Sequence, residues 1–287
     1  MIDRLSTYLS FVRFSHSVFA LPFALTGALL ASRQHPITWR HVVWIVVCMV
    51  TARSAAMGFN RLVDARFDAA NPRTASRELP SGRMSSSEAA FFVAVMAIAF
   101  VAAAAQLSWL CFVLSPVALI MIFWYSLAKR YTWATQFFLG LAMAIAPVGG
   151  WIAAGGGAGW EPWLLGLAIA LWVGGFDVLY ACQDFEYDRK HGLRSIPARF
   201  GIKNALWISR LFHFQAFIVL LLLYLATGLS WVSLVGVIAV GALFVYQHTL
   251  VRAHDLSRMN AAFFTTNAFV SVILLATFGG AVFAAGI

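Results

Sequence analysis

Nine apolar stretches succeed one another along the chain, near 14–32, 40–62, 87–105, 109–127, 134–154, 162–182, 204–227, 231–250 and 261–283. A bilayer core is crossed by about 20 helical residues. In lipid a backbone must satisfy its own hydrogen bonds, which leaves helices or closed barrels. Alternating strands of about ten residues are absent, so helices are expected. Hydrophobic residues make up 62% of the chain and charged residues 11%. That balance excludes a soluble enzyme with one compact core, and it excludes a disordered chain. The sequence predicts an all-α polytopic membrane protein, with nine transmembrane helices around a central cavity and a single domain over 1–287.

The basic residues set the orientation. Arg4 and Arg13 precede the first stretch. Arg66, Arg73, Arg77 and Arg83 follow the second, Lys129 and Arg130 the fourth, Arg189, Lys190, Arg194, Arg199 and Lys203 the sixth, and Arg252 and Arg258 the eighth. The opposite loops hold only Arg33 and Arg40. Positive loops stay cytoplasmic, so the N-terminus is expected inside, and the odd helix number puts the C-terminus outside. Three inward loops, 63–86, 128–133 and 183–203, then cap one end of the bundle. The expected location is the inner (plasma) membrane, multi-pass. The first segment reads as an uncleaved anchor rather than a signal peptide. A net charge of +9 would suggest nucleic acid for a soluble chain; here topology accounts for it and no nucleic acid partner is expected. Cys48, Cys111 and Cys182 form no CxxC pair and read as packing residues. The glycine-rich run at 155–160 reads as an external turn.

The acidic residues carry the chemistry. Six of the eleven, namely Asp64, Asp68, Asp177, Asp184, Glu186 and Asp188, fall within 60–68 and 177–188. Clustered carboxylates beside hydrocarbon are costly through desolvation and mutual repulsion, and a divalent cation removes the repulsion. Asn60, Asp64 and Asp68 recur every four residues, as do Asp184 and Asp188, so each set shares a helix face. Hard oxygen ligands suit Mg²⁺ and a phosphate co-ligand. Arg53 lies two turns before Asn60 on the same stripe. Arg66, Arg73 and Arg77 follow in the loop, and Lys129 and Arg130 end the fourth helix. Carboxylates with nearby guanidinium and ammonium groups make a diphosphate site plausible on chemical grounds.

These residues carry a resemblance. NRLVDARFD (60–68) resembles the NxxxDxxxD signature of the UbiA superfamily of intramembrane prenyltransferases, and YACQDFEYD (180–188) resembles its second signature. GLRSIPARFG (192–201), NPRTASRELPSG (71–82) and YSLAKRYT (125–132) are similar to the family's adjoining segments. The resemblance implies that Asn60, Asp64, Asp68, Asp184 and Asp188 hold two Mg²⁺ on an allylic polyprenyl diphosphate. It implies that Arg53, Arg66 and Lys129 contact the diphosphate, and that Arg130 faces the carboxylate of an aromatic acid acceptor, with Asp177 and Tyr180 lining the same face. Asp64, Asp184 and Arg130 are the expected catalytic residues. The run FSHSVFALPFAL (14–25) is similar to one branch of the family, which gives His16 an acceptor-binding role. Many members have Asn-Asp where this chain has Asn60-Arg61.

The implied activity is Mg²⁺-dependent transfer of a polyprenyl group to 4-hydroxybenzoate or a dihydroxynaphthoate, in ubiquinone or menaquinone biosynthesis. Acceptor, prenyl length and oligomeric state stay open. An acid-gated cation transporter is the alternative, disfavoured because transport ligands lie near mid-bilayer whereas these acids lie at helix ends. CDP-alcohol phosphotransfer lacks its Asp-Gly signature here. A purely structural subunit gives no reason for clustered acids. His213 and His248 read as packing residues with a satisfied hydrogen bond, and His191 as a neighbour of the second motif.

Overall fold

The computed structural model describes residues 7–8, 10–12, 20–259, 262 and 265–286. Its helices are α1 (Leu21–Ala31), α2 (Trp39–Ala70), α3 (Ser86–Leu107), α4 (Trp109–Tyr131), α5 (Thr135–Ala153), α6 (Glu161–Ala181), α7 (Phe185–Lys190), α8 (Ile196–Thr227), α9 (Trp231–Thr249) and α10 (Thr266–Ala284). A 3₁₀ turn, Cys182–Asp184, joins α6 to α7. No strand occurs among the described residues beyond the isolated bridge Arg252–Asp255. Among the described residues, eight helical segments are long and apolar enough to cross a membrane. Of the first expected span, only Leu21–Ala31 is described as a helix.

Two helices outrun their apolar stretches. The hydropathy of the second span ends near 62, yet α2 continues to Ala70, because Arg61, Asp64, Arg66 and Asp68 add charge without breaking a helix. The seventh span begins its apolar run near 204, yet helix starts at Ile196. Ser195 caps it, accepting from the Ala198 N–H, and the short first stretch meets the long one at Gly201, whose φ of 79° no side-chain-bearing residue takes readily.

The chain forms two compact units, one of 1–18 and 43–127, the other of 19–42 and 128–287. In the first, Phe11, Val12, Met84 and Ala89 make a buried cluster with Met57, Leu62 and Phe92 around it. Phe59 stacks on Phe123 with ring centroids 4.4 Å apart. Ser85 and Glu88 cap α3 reciprocally. In the second, α6 packs on α5 and α8, and α1 packs on α5 and α10. Small residues permit the close crossings: a Cβ at Gly27 would strike the Pro147 carbonyl, and one at Gly150 that of Ala24.

Large apolar side chains cover the outside. Phe91 is 73% exposed, Ile98 70%, Ile120 66% and Leu225 70%, a surface suited to lipid rather than water. Polar groups turn inward instead. Trp172 donates its indole N–H to Asn267 Oδ1 at 3.0 Å. His213 and His248 bond to one another at 2.9 Å, and His213 Nε2 lies 3.2 Å from the Trp172 carbonyl, as expected of packing histidines. Cys48 and Cys182 are buried, Cys111 is half-buried, and all three are free thiols. The run 155–160 is a turn closed by Trp151 Nε1 on the Gly157 carbonyl.

Candidate functional site

In the first unit the site is built on the end of α2. A helix advances 100° per residue, so Arg53, Asn60, Asp64 and Asp68 fall along one stripe. Asn60 Nδ2 donates to Asp64 Oδ2 at 3.4 Å, which holds the amide and the carboxylate side by side. Asp64 and Asp68 are buried at 3% and 7% exposure. Two turns before Asn60, Arg53 is half-buried, and its Nε has no hydrogen-bond partner among the described residues. A buried donor of this kind suits an incoming anion. Arg66 is exposed and lies two residues from Asp64, on a different side of α2 from the stripe.

The loop after α2 folds back onto it through ion pairs. Arg77 Nη1 donates to both oxygens of Asp68, at 2.8 and 2.7 Å. Thr74 Oγ1 donates to the Asp68 carbonyl at 3.0 Å. Arg61 donates to Glu78 Oε2 at 2.8 Å, with side chains only 5% and 3% exposed, and Ser10 donates to Glu78 Oε1 at 2.6 Å. Burial pushes the Glu78 carboxyl up; the Ser10 hydroxyl, its own backbone N–H, Arg61 and Arg83 outweigh that and hold it below the usual glutamate range. Arg61, where the family signature often has an acid, is therefore half of a buried pair that anchors the loop. Arg73 is exposed.

In the second unit the acids straddle a change of helix type. Asp177 lies on α6, Asp184 ends the 3₁₀ turn, and Asp188 lies on α7. The even four-residue face expected for Asp184 and Asp188 thus crosses a tightened turn, a local irregularity common at functional positions. Asp177 is within electrostatic reach of Asp184 and Lys129. Tyr180 is half-buried against the cluster of Val178, Leu179, Ile196 and Val251. Lys129 and Arg130 are half-buried in the last turn of α4.

Here hydrogen bonds to hydroxyl, carbonyl and amide groups, rather than carboxylate–guanidinium pairs, do the fastening. Ser195 Oγ donates to Asp188 Oδ2 at 2.9 Å. The Arg194 N–H donates to the Lys129 carbonyl at 2.8 Å, and Arg194 Nη1 to that of Tyr131 at 2.6 Å. The Ile196 N–H donates to Gln136 Oε1 at 3.2 Å. These bonds fix the segment carrying Asp188 to the segment carrying Lys129. His191, exposed, stacks on Tyr187 with centroids 4.0 Å apart. His16 lies outside the described residues.

Neither unit gathers, among its described residues, three His, Cys, Asp or Glu side chains into a ready-made metal cage. The donors present are nonetheless of one kind. They are amide and carboxylate oxygens at helix ends with cationic groups nearby, the ligand set of Mg²⁺ bound together with a phosphate rather than in an all-protein cage. Sequence reasoning found these donors. It missed the residues that hold them: Arg77 on Asp68, Ser195 on Asp188, and the Arg61–Glu78–Ser10 group. The departure at Arg61 was the visible signal for the last of these.

Comparisons with known proteins agree with this architecture. The chain is 31% identical over 238 residues to the 4-hydroxybenzoate octaprenyltransferase of Aliivibrio fischeri (strain MJ11), covering 83% of each chain. It superposes on the apo structure of a UbiA homolog from Aeropyrum pernix K1 with a TM-score of 0.84, at 32% identity, over 95% of this chain and 98% of that one. A UbiA homolog from Archaeoglobus fulgidus, bound to GPP and Mg²⁺, shares the fold with a TM-score of 0.77 at 20% identity, over 97% of this chain and 99% of that one. The model of the UbiA prenyltransferase family matches residues 20–285. The chain belongs to the UbiA prenyltransferase family.

Proposed function

We propose that this protein is a Mg²⁺-dependent aromatic prenyltransferase, moving a polyprenyl group from its allylic diphosphate to 4-hydroxybenzoate or a dihydroxynaphthoate. The observation that carries the reading is the α2 stripe. An unpartnered buried guanidinium N–H on Arg53 and two buried carboxylates, Asp64 and Asp68, share one face of a membrane helix. Such a face has a purpose if it holds a metal–diphosphate group. Family membership and the activity of the curated relatives support it and favour it over the cation transporter.

Asn60, Asp64, Asp68, Asp184 and Asp188 would hold Mg²⁺, whose positive charge stabilises the diphosphate leaving oxygen when bound. Arg53 and Lys129 grip the diphosphate and oppose the charge that develops on it. Arg66, exposed on α2, is the outer member of that set and takes part through a substrate-induced rearrangement. Arg130 orients the acceptor by its carboxylate, a fork geometry that a guanidinium matches. Asp177, Tyr180 and His16 line the acceptor's place. Asp184 accepts the proton released when the ring attacks the allylic carbon. The apolar helices keep water from that carbon, which otherwise captures it.

The same reading gives nine membrane spans in the inner membrane, a cytoplasmic N-terminus, one functional domain over 1–287, and a cap made by 63–86, 128–133 and 183–203 toward the cytoplasm. The test is an assay with Mg²⁺ and geranyl diphosphate, offering 4-hydroxybenzoate, 1,4-dihydroxy-2-naphthoate and 1,4-dihydroxy-6-naphthoate in parallel. Prenylated product from one acceptor, stopped by chelation, is expected. No product from any acceptor across several prenyl lengths refutes the reading.

A further inference from the structure

In the second unit, a recess of about 640 Å³ opens beside the start of α8. Its wall includes Trp133, Arg189, Arg194, Ser195 and Arg199. None of these residues is assigned above to diphosphate, metal or acceptor. Three guanidinium groups converge there, and no carboxylate lies within salt-bridge distance of any of them among the described residues. Like charges gathered in one recess repel unless an anion joins them.

The guanidiniums are held ready for one. Arg189 lies over the Phe185 ring at 5.4 Å, and Arg199 over the Phe200 ring at 5.7 Å. A cation–π contact uses none of a guanidinium's N–H donors in a hydrogen bond, which leaves them for another partner. Trp133 meets Phe200 edge-to-face at 5.2 Å, and both rings are partly exposed at 43% and 37%. Of the two, Trp133 is an amphipathic aromatic of the kind enriched at headgroup level.

What the recess adjoins decides the ligand. Along α8, Arg199 and Lys203 are exposed and polar, and then the surface turns apolar. Trp207 is 60% exposed, Leu211 53% and Phe214 62%, with Arg210 stacked on Trp207 at 4.7 Å. Beyond the break at Gly201, the chain that leaves the basic recess therefore becomes a helix with large exposed apolar side chains. We propose that the Arg189–Arg194–Arg199 recess binds the phosphate of an anionic phospholipid whose acyl chains lie along Trp207, Leu211 and Phe214. The recess supplies charge complementarity and those side chains supply the apolar continuation that a free phosphate does not need.

The test is lipid retention by the purified full chain, counted by native mass spectrometry after titration with phosphatidylglycerol or phosphatidylcholine. The wild type should keep one phosphatidylglycerol in preference to phosphatidylcholine. The double variant Arg189→Gln/Arg199→Gln should weaken that retention roughly 30-fold, from the loss of two surface charges. Arg189→Lys/Arg199→Lys should recover most of it, which separates lost charge from lost fold. Trp207→Ala should weaken lipid retention while leaving the response to inorganic pyrophosphate unchanged. Equal retention of the two lipids, or equal retention by wild type and the Gln variant, overturns the proposal. So does displacement of the lipid by pyrophosphate or geranyl diphosphate at matched concentration, which would make the recess a site for the substrate's phosphates.

Discussion

The two acidic segments of this protein hold their candidate metal-binding carboxylates by different means. On α2, Asp68 is gripped by Arg77, and the loop beyond it is pinned by Arg61–Glu78. Around α7, Asp188 is held by the Ser195 hydroxyl, and its loop is pinned by backbone carbonyls and the Gln136 amide. A segment fastened by ion pairs depends on the ionisation of its partners. A segment fastened by hydrogen bonds in which at most one partner is charged depends on it less. The α2 side should therefore respond more strongly to pH and to charge substitutions than the α7 side.

The largest effects erase the comparison, because the proposed function draws ligands from both segments. Asp64→Ala and Asp184→Ala should each lower product formation on the order of 10³-fold, the scale of losing a main electrostatic stabiliser, with insertion and thermal stability preserved. A variant of either kind with full turnover breaks the proposed metal site.

The next effect separates the segments. Arg61→Ala leaves the buried Glu78 without its main countercharge, and such a break costs about 3–5 kcal/mol. The apolar double variant Arg61→Met/Glu78→Leu should recover most of that. Thermal unfolding in detergent reads both, and equal stability of Arg61→Ala and wild type would remove the anchor role. On the other side, Ser195→Ala should cost about 1 kcal/mol through the lost helix cap. It should also lower Mg²⁺ affinity by about 10–100-fold through the lost support of Asp188. A Mg²⁺ titration of initial rates checks it.

The smallest effect is the pH response. Glu78 is held below the ordinary carboxylate range in the folded chain, so it contributes stability that is complete above the unfolded glutamate value, about 4.3. That contribution fades as pH falls through the lower folded value. Proteolysis of the 71–84 loop should accelerate on acidification in the wild type and much less in Glu78→Gln, while cleavage in 191–195 changes less. Parallel acceleration in both loops would dissolve the distinction.

Much of this was legible in the chain. Apolar run lengths located the helices, and four-residue spacing located Asn60, Asp64 and Asp68 on one face, because both are local periodic properties. Helix ends were less legible. Hydropathy stops where the bilayer stops, whereas α2 keeps turning to Ala70 and α8 starts before Gly201. The 3₁₀ turn before Asp184 left no mark in residue spacing. Arg61–Glu78 spans 17 residues and Ser10–Glu78 spans 68; such pairs are set by how the loop returns, and no periodicity encodes that. The exposure of Arg66 followed from its position two residues beyond Asp64, which the basic character of the loop had masked.

The proposed function requires that both acidic segments act on a single diphosphate. The most direct measurement is binding of an unreactive allylic diphosphate analogue, with Mn²⁺ as the spectroscopic reporter, followed by electron paramagnetic resonance in wild type, Asp64→Asn and Asp184→Asn. The account predicts that each single substitution weakens analogue-dependent Mn²⁺ binding by a comparable factor, and that the double variant is little worse than either. Unchanged analogue binding in either single variant would contradict it.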